Sequence, residues 1–302
     1  RWMDALSPAE LWVLETELWP HLLLAAREAD VPVRIVNARI THKTLRAPAF
    51  LRTAWREALG SVTQVLARGS SDAEAFVQLG APSERVSAAG NLKELAAARL
   101  AQQPPRPLRQ APFLLFASAY DDEIEGLMPM LAEMSRPLPW VIVPRRPDQD
   151  AEYVRLTAEE QGLTTVMVER DEQADAEADV LIETRFGTLT RWLSNAAAVM
   201  MGGSFAPYGG HNFLEAAALG RAIITGSDMR DFTEETEAFV HAGALIQLED
   251  MEEAVETATR LATSPDKARA LGERARATLL EREAAVRQRY FTALGLNPDS
   301  SH

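Results

Sequence analysis

Short runs of aliphatic and β-branched residues alternate along the chain with longer stretches in which apolar positions recur at helical spacing. Such runs are typical of buried strands, and strands that alternate with amphipathic helices are typical of a parallel sheet covered by helices. The pattern therefore predicts an α/β fold. The predicted strands are residues 10–15, 33–37, 62–67, 85–88, 113–117, 140–143, 165–168, 180–182, 198–201, 222–225 and 244–247.

Three prolines, at positions 104, 105 and 107, interrupt this alternation. Proline lacks a backbone donor and disfavours both helices and central strands, so we expect 104–107 to be a linker. The linker would separate a partial N-terminal domain, 1–103, from a C-terminal domain, 108–302. Residues 266–294 are rich in alanine, arginine, glutamate and leucine. This composition predicts a long terminal helix, which we expect to pack back toward the first domain.

The composition of the 302-residue chain, 47% hydrophobic and 25% charged, is ordinary for a globular protein of two domains. The absence of cysteine excludes disulfides, thiolate nucleophiles and cysteine-ligated zinc. A net charge of −13 argues against nucleic acid as a partner. No apolar run approaches the roughly 20 residues of a membrane span, so we expect the chain to be soluble. Because a predicted strand follows Arg1 so closely, we expect the beginning of the natural protein to be missing.

The most informative segment is a glycine-rich loop, 202–215, which follows a predicted strand and precedes an alanine-rich helix. Glycine lets a backbone approach a ligand closely, and the free amides of a helix start favour an anion such as phosphate. Glu215 could accept hydrogen bonds from ribose hydroxyls. Alternatively, Asn212 caps the helix and Glu215 completes a capping box. His211 could be a general acid, a phosphate ligand or a structural hydrogen-bonding residue.

Other charged residues follow predicted strands, at the sheet edge where α/β folds bind ligands. The guanidinium groups of Arg145 and Arg146 suit phosphate, although a solvated basic turn has the same pattern. Glu15 and Glu17 form a carboxylate pair that could serve acid or base chemistry. The alternative for this pair is charge complementation at a helix start. Lys93 adds one cation after the fourth predicted strand.

Taken in order, these segments resemble the Kdo (3-deoxy-D-manno-octulosonic acid) transferases of bacterial lipopolysaccharide synthesis, and the resemblance covers nearly the whole chain. The motifs that carry it are Glu-Thr-Glu-Leu-Trp-Pro at 15–20, Val-Asn-Ala-Arg at 36–39, Leu-Gly-Ala at 79–81, Gly-Asn-Leu-Lys at 90–93, Pro-Arg at 144–145 and Gly-Gly-His-Asn-Phe-Leu-Glu at 209–215. The resemblance implies a GT-B fold, in which two Rossmann-like domains face a cleft, with the first domain incomplete here.

The same resemblance implies an inverting glycosyltransferase that moves Kdo, or a related acidic sugar, from a CMP-activated donor to a lipid A precursor. Glu17 and Lys93 are implied to support the transition state, and no metal or cofactor is implied beyond the donor CMP-Kdo. The implied CMP contacts are Pro144, Arg145, Phe186, Gly187, Thr188, Gly209, Gly210, His211, Asn212 and Glu215.

In the family, the general base and a membrane anchor lie upstream of the first motif. We therefore expect little or no transfer by this chain alone. We also expect the membrane surface to be reached through the missing N-terminal segment, at the cytoplasmic face of the bacterial inner membrane.

The chain departs from the family pattern around the implied donor site. Tyr120 stands where histidine is usual, Thr188 stands where glutamate is usual, and the stretch after Gly226 lacks the usual histidine and asparagine. These departures leave the donor sugar open. They also leave open two alternatives to the function that the resemblance implies. One is a divergent GT-B sugar transferase or epimerase with another donor, and the other is a non-catalytic nucleotide-binding homologue.

Overall fold

The structure, a computed structural model, describes residues 2–134 and 137–296. Every strand predicted above falls on an observed strand, and the apolar runs of the central strands are buried in a sheet. The strands are β1 (Leu11–Leu14), β2 (Val33–Ala38), β3 (Gln64–Ala67), β4 (Val86–Ala88), β5 (Leu114–Ala119), β6 (Trp140–Pro144), β7 (Thr165–Val168), β8 (Val180–Glu183), β9 (Ala198–Met201), β10 (Ala222–Thr225) and β11 (Ile246–Gln247).

Helices connect almost all of the strands, as the alternation of patterns predicts. They are α1 (Trp2–Leu6), α2 (Pro20–Glu28), α3 (His42–Leu45), α4 (Ala49–Leu59), α5 (Ser70–Leu79), α6 (Leu92–Gln102), α7 (Asp121–Glu133), α8 (Pro147–Glu160), α9 (Leu189–Leu193), α10 (Leu214–Ala218), α11 (Thr233–His241), α12 (Met251–Ala262) and α13 (Pro265–Leu294). Among the described helices, none has the length and apolar composition that a membrane span requires.

The described residues form two compact units. Residues up to Leu95, together with those from Glu283 onward, make the first unit, and Ala96–Arg282 make the second. The proline segment 104–107 lies inside the second unit, because Ala97 and Leu108 are buried in that unit's core. Helix α13 begins in the second unit, and its last turns belong to the first.

The first unit contains a four-stranded parallel sheet in the order β1-β2-β3-β4. Successive residues of a strand point to opposite faces of a sheet. Accordingly, Ile35 and Val65 lie in the apolar cluster on one face, while Val36 and Leu66 lie in the cluster on the other, together with Val286 of α13. Burial on both faces therefore explains the apolar residues of β2 and β3.

The second unit contains a seven-stranded parallel sheet in the order β11-β10-β9-β5-β6-β8-β7. Both faces are covered, with Leu115 and Val199 in one apolar cluster and Leu114 and Phe116 in the other. From β5 the chain continues to β6 on one side, whereas from β9 it continues to β10 on the other side. The loops after β5 and β9 therefore diverge at the carboxyl edge, which is where doubly wound sheets bind ligands.

Candidate functional site

The loop that follows β9 is held in place by close backbone packing at glycines. A Cβ atom at Gly202 would lie 2.4 Å from the Ser118 carbonyl oxygen, and one at Gly210 would lie 2.3 Å from the Met229 sulfur. Gly210 also has φ +73°, a left-handed conformation that strains other residues. These glycines therefore let the loops after β5, β9 and β10 pack against one another.

The amides of the glycine pair are engaged within the protein. The Gly209 amide donates to Asp228 Oδ2 at 2.8 Å, and the Gly210 amide donates to the Gly203 carbonyl at 2.7 Å. Asp228 also pairs with Arg230 at 2.9 Å. The predicted contact of Gly209 and Gly210 with a nucleotide stays a prediction.

Free hydrogen-bond donors lie one residue further along. The backbone amides of His211, Asn212 and Phe213 have no acceptor within the residues that the structure describes. The Arg145 guanidinium is exposed and makes no ion pair or side-chain hydrogen bond in the same described ranges, whereas its neighbour Arg146 pairs with Asp150 at 2.9 Å. Uncommitted amides and a guanidinium group are the donors that bind phosphate.

His211 lies within reach of the Arg145 charge. Burial, the positive charge of Arg145 and an opposing contribution from Asp231 together lower the pKa of His211 to about 4. The imidazole is therefore neutral at physiological pH. Its Nε2 atom is buried and has no hydrogen-bond partner among the described residues. A buried polar atom without a hydrogen bond destabilises the folded protein unless a ligand hydrogen-bonds to it.

Glu215 lies in the first turn of α10 as a half-buried carboxylate. No described residue donates a hydrogen bond to it, and burial raises its pKa. Helix α10 begins after Phe213 with no side-chain cap, although Asn212 Oδ1 accepts from the Leu214 amide at 3.2 Å. The capping-box alternative for Glu215 is therefore wrong, and its carboxylate is left available to a ligand.

Two buried carboxylates that the sequence analysis did not single out fix the surrounding loops. Glu123 accepts from the Gly203 and Tyr120 amides at 2.8 and 3.1 Å, and burial raises its pKa. Glu183 accepts from the Trp192 indole at 2.8 Å and from the Arg185 guanidinium at 2.8 Å. Glu123 lies just after a strand and is bonded by an amide 80 residues away, whereas Glu183 ends a strand and its partners are two and nine residues away.

The turn that follows Glu183 contains three of the implied CMP contacts. Phe186 is exposed, Gly187 has φ +81°, and Thr188 Oγ1 donates to the Arg185 carbonyl at 3.2 Å. Pro144 is buried at the end of β6, directly before Arg145. These residues lie after neighbouring strands β6 and β8, so their loops leave the same carboxyl edge.

A cavity of about 290 Å³ is lined by the loop after β10, the first turns of α11 and Gln247. Asp228 and Glu237 contribute two carboxylates to its wall, and Arg230 contributes one guanidinium. The Thr236 hydroxyl oxygen, also in the wall, is buried without a hydrogen-bond partner in the described ranges. The cavity therefore offers polar groups with an excess of negative charge.

In the first unit, the predicted catalytic residues lie beyond the ends of β1 and β4. Lys93 Nζ lies 3.8 Å from Glu15 Oε1, so the structure pairs this lysine with Glu15 and not with Glu17. Glu17 is exposed and accepts from the Trp19 indole at 2.7 Å. Asn37 Oδ1 accepts from the Leu92 amide at 3.0 Å, which joins the loops that carry Glu15 and Lys93. Asn37 belongs to the Val-Asn-Ala-Arg motif, but its contact with Leu92, 55 residues away, has no signal in the sequence.

Within the described residues, no group of three or more histidine, aspartate or glutamate side chains is arranged to hold a metal ion. The candidate site is therefore built from amides, cations, an imidazole and carboxylates.

Comparison with known proteins gives matches in sequence. A sequence family described as 3-deoxy-D-manno-octulosonic-acid transferase (kdotransferase) matches residues 1–96. The 3-deoxy-D-manno-octulosonic acid transferase of Bordetella pertussis is 30% identical over 295 residues, covering 91% of this chain and 66% of that protein. The chain thus spans just under two thirds of the length of this relative.

Solved structures give matches in fold. The C-terminal CMP-Kdo binding domain of WaaA from Acinetobacter baumannii superposes with a TM-score of 0.53 and 24% identity, covering 62% of this chain and 97% of that one. The UDP-GlcNAc 2-epimerase of Neisseria meningitidis, bound to UDP-GlcNAc, superposes with a TM-score of 0.60 and 17% identity over 96% of this chain and 78% of that one. The predicted α/β fold of GT-B type is confirmed.

Proposed function

Because the chain belongs to the 3-deoxy-D-manno-octulosonic acid transferase family, we propose that its protein transfers Kdo, or a related acidic sugar, from a CMP-activated donor to a lipid A precursor, with inversion. The second unit binds CMP, and the first unit receives the acceptor. The reaction takes place at the cytoplasmic face of the bacterial inner membrane, where the lipid acceptor presents its hydroxyl.

The observation that carries this proposal is the set of uncommitted groups after β6 and β9. The phosphate of CMP accepts hydrogen bonds from the amides of residues 211–213 and from the Arg145 guanidinium, none of which has a hydrogen-bond partner among the residues that the structure describes. Glu215 accepts from the ribose hydroxyls, which provide the hydrogen-bond donors that its half-buried carboxylate lacks among the described residues. Donors placed in advance around the departing phosphate stabilise the negative charge that develops as the sugar leaves.

In the first unit, Glu17 and Lys93 act on the transition state. Glu17 is exposed, and its carboxylate has only the Trp19 indole as a partner in the described residues, so it is available to stabilise positive charge on the sugar ring. Lys93 offers a cation whose Nζ lies 3.8 Å from Glu15 Oε1.

The test is thermal unfolding in the presence of CMP, UMP and GMP, each at the same concentration. A ligand that binds only the folded state at 100 times its Kd stabilises it by about 2.7 kcal/mol, which corresponds to several degrees for a domain of this size. We expect CMP to raise the midpoint most. Equal shifts with all three nucleotides would remove the assignment of cytidine.

Neighbouring arginines supply a matched pair of variants for this assay. Arg145→Ala should abolish most of the CMP-induced shift, because its guanidinium has no other partner in the described ranges. Arg146→Ala removes the same type of side chain, but one already paired with Asp150, and should keep the shift. The reverse result would place the phosphate elsewhere.

A second candidate, a sugar transferase or epimerase with a different donor, is favoured by the cavity after β10. Asp228 and Glu237 in its wall disfavour an acidic sugar and would suit hydroxyl or amide groups. A larger shift with UMP than with CMP in the same panel would support this candidate.

A further inference from the structure

Three aromatic rings form a parallel stack beside the candidate donor site. Tyr208 stacks on Tyr120 with ring centroids 3.8 Å apart, and Tyr120 stacks on His211 at 5.5 Å, each pair within 13° of parallel. Tyr120 is thus the middle ring, and the imidazole whose Nε2 is buried and unpaired is the inner ring. The outer ring, Tyr208, is fixed by its hydroxyl, which lies 3.2 Å from Asp122 Oδ2.

The middle ring is held rigidly relative to the loop that carries His211. The Tyr120 and Gly203 amides both donate to Glu123 Oε2, which ties the end of β5 to the loop after β9. Gly203 has no side chain, and a Cβ there would lie 3.1 Å from the His211 ring and 3.2 Å from the Tyr120 ring. The two rings therefore fill the space above Gly203, and the Tyr120 ring covers one face of the imidazole.

His211 needs such support because of its position. It follows two consecutive glycines in left-handed conformation, whose amides donate to Asp228 and to the Gly203 carbonyl, but these bonds hold the backbone and not the imidazole. The groups that face the ring are Tyr120 after β5, Arg145 after β6 and Asp231 after β10. Without the Tyr120 ring, the imidazole would gain rotational freedom and hydration, and its Nε2 would no longer be fixed next to Arg145.

We propose that Tyr120 is a positioning residue of the donor site, whose ring holds the His211 imidazole so that Nε2 hydrogen-bonds the bound nucleotide. This inference rests on the proposed function, because the ligand is the CMP moiety of the donor. Tyr120 itself need not touch the nucleotide. Its contribution is to keep one hydrogen-bonding atom in place beside the Arg145 guanidinium and the uncommitted amides.

The experiment compares CMP affinity of the wild type, Tyr120→Phe and Tyr120→Ala by calorimetry. Phenylalanine keeps the stacked ring, so affinity should stay within about twofold of wild type. Alanine removes the ring, and a lost aromatic pair corresponds to a loss of about two- to tenfold. In a His211→Ala background, Tyr120→Ala should cause no further loss, because Tyr120 acts through His211.

Measurements at pH 6 and pH 8 add a readout that loss of stability would not produce. In the wild type the His211 pKa of about 4 keeps the ring neutral at both pH values. Tyr120→Ala exposes the ring and so reduces the burial that is the main cause of the lowered pKa of His211. The pKa therefore rises, the ring takes up more protons at pH 6 than in the wild type, and the charged ring attracts the phosphate. The deficit of the variant relative to wild type should therefore be smaller at pH 6 than at pH 8. The CMP phosphate titrates in the same way in both measurements, so its titration does not change the ratio of the two CMP affinities.

The outcomes separate the inference from the function on which it rests. If wild type binds no CMP, the proposed function fails. If wild type binds CMP and folded Tyr120→Ala binds equally well at both pH values, the positioning role is wrong and the function stands. Should Tyr120→Ala not fold, Tyr120→Leu keeps apolar cover but loses the parallel ring. The same loss of affinity is then expected at both pH values, and unchanged affinity would overturn the inference.

Discussion

Replacing Glu215 by glutamine should stabilise the free protein while weakening its affinity for CMP. The carboxylate is half-buried, lacks a hydrogen-bond donor among the described residues and has a raised pKa because of burial. In the unfolded chain the group returns to its ordinary pKa near 4.5. The native state therefore holds the proton more tightly, and ionisation of Glu215 favours unfolding as the pH rises from about 4.5 through the folded pKa.

The magnitude follows from the cost of an unpaired polar group. Mutational data place that cost at about 1 to 3 kcal/mol for full burial, and for a half-buried carboxylate we take the lower end, about 1 kcal/mol. For a domain of 150 to 250 residues, about 1 kcal/mol raises the unfolding midpoint by about 2–4 °C. Glutamine keeps the shape of the side chain and removes the charge, so it isolates this contribution.

The assay is thermal unfolding of wild type and Glu215→Gln from pH 4 to pH 8, with and without CMP. Near pH 4 the side chain at 215 is mostly uncharged in both proteins, so we expect nearly equal unfolding midpoints. At neutral pH we expect a higher midpoint for the variant. The CMP-induced shift should be smaller in the variant, because a glutamine amide oxygen accepts weaker hydrogen bonds from the ribose hydroxyls than a carboxylate does. A lower midpoint at neutral pH, or a difference that does not change with pH, would refute the reasoning.

Further variants test other parts of the structure. Gly210→Ala should destabilise the protein by at least about 2 kcal/mol in denaturant unfolding, because it combines φ +73° with a Cβ 2.3 Å from the Met229 sulfur. Gly187→Ala, the matched control with φ +81° and open space, should lose only about 1 kcal/mol, and equal losses would contradict the packing argument. Glu17→Gln in the complete protein should lower the transfer rate by about 100-fold or more with little change in the unfolding midpoint. A shifted midpoint with a near-normal rate would make Glu17 structural.

The strands could be predicted because parallel strands covered on both faces are continuous apolar runs, as in β9 and β10. Their order could not be predicted, since β8 lies between β6 and β7 and only pairing across the sheet decides this. The end of the first unit could not be predicted from the sequence either. Helix α6 contributes Leu92 and Leu95 to the first unit's apolar cluster and Ala97 to the second unit's core, with no break in sequence pattern.

At the candidate site, the sequence located the loop but not its internal contacts. A glycine-rich segment between a strand and a helix indicates a ligand edge. The structure places residues 211–215 after β9 at the carboxyl edge, and Arg145 after β6, two strands away in the same sheet. Glu123 was hidden because it follows Asp121 and Asp122, and such an acidic run is typical of a solvated helix start. Its burial results from amides 80 residues away, which no local pattern reveals.

The departures from the family pattern change side chains without removing the carboxylates that shape the loops. At 188, the threonine hydroxyl donates to the local Arg185 carbonyl, while buried Glu183 holds the turn. At 120, tyrosine replaces the usual histidine, while Glu123 still joins its amide to the loop after β9. Because these carboxylates act on backbone amides and on Arg185, the frame that presents the free amides and Arg145 does not depend on the substituted residues. The backbone of these loops is therefore held whichever side chains stand at 120 and 188, whereas the place of the His211 imidazole depends on the Tyr120 ring.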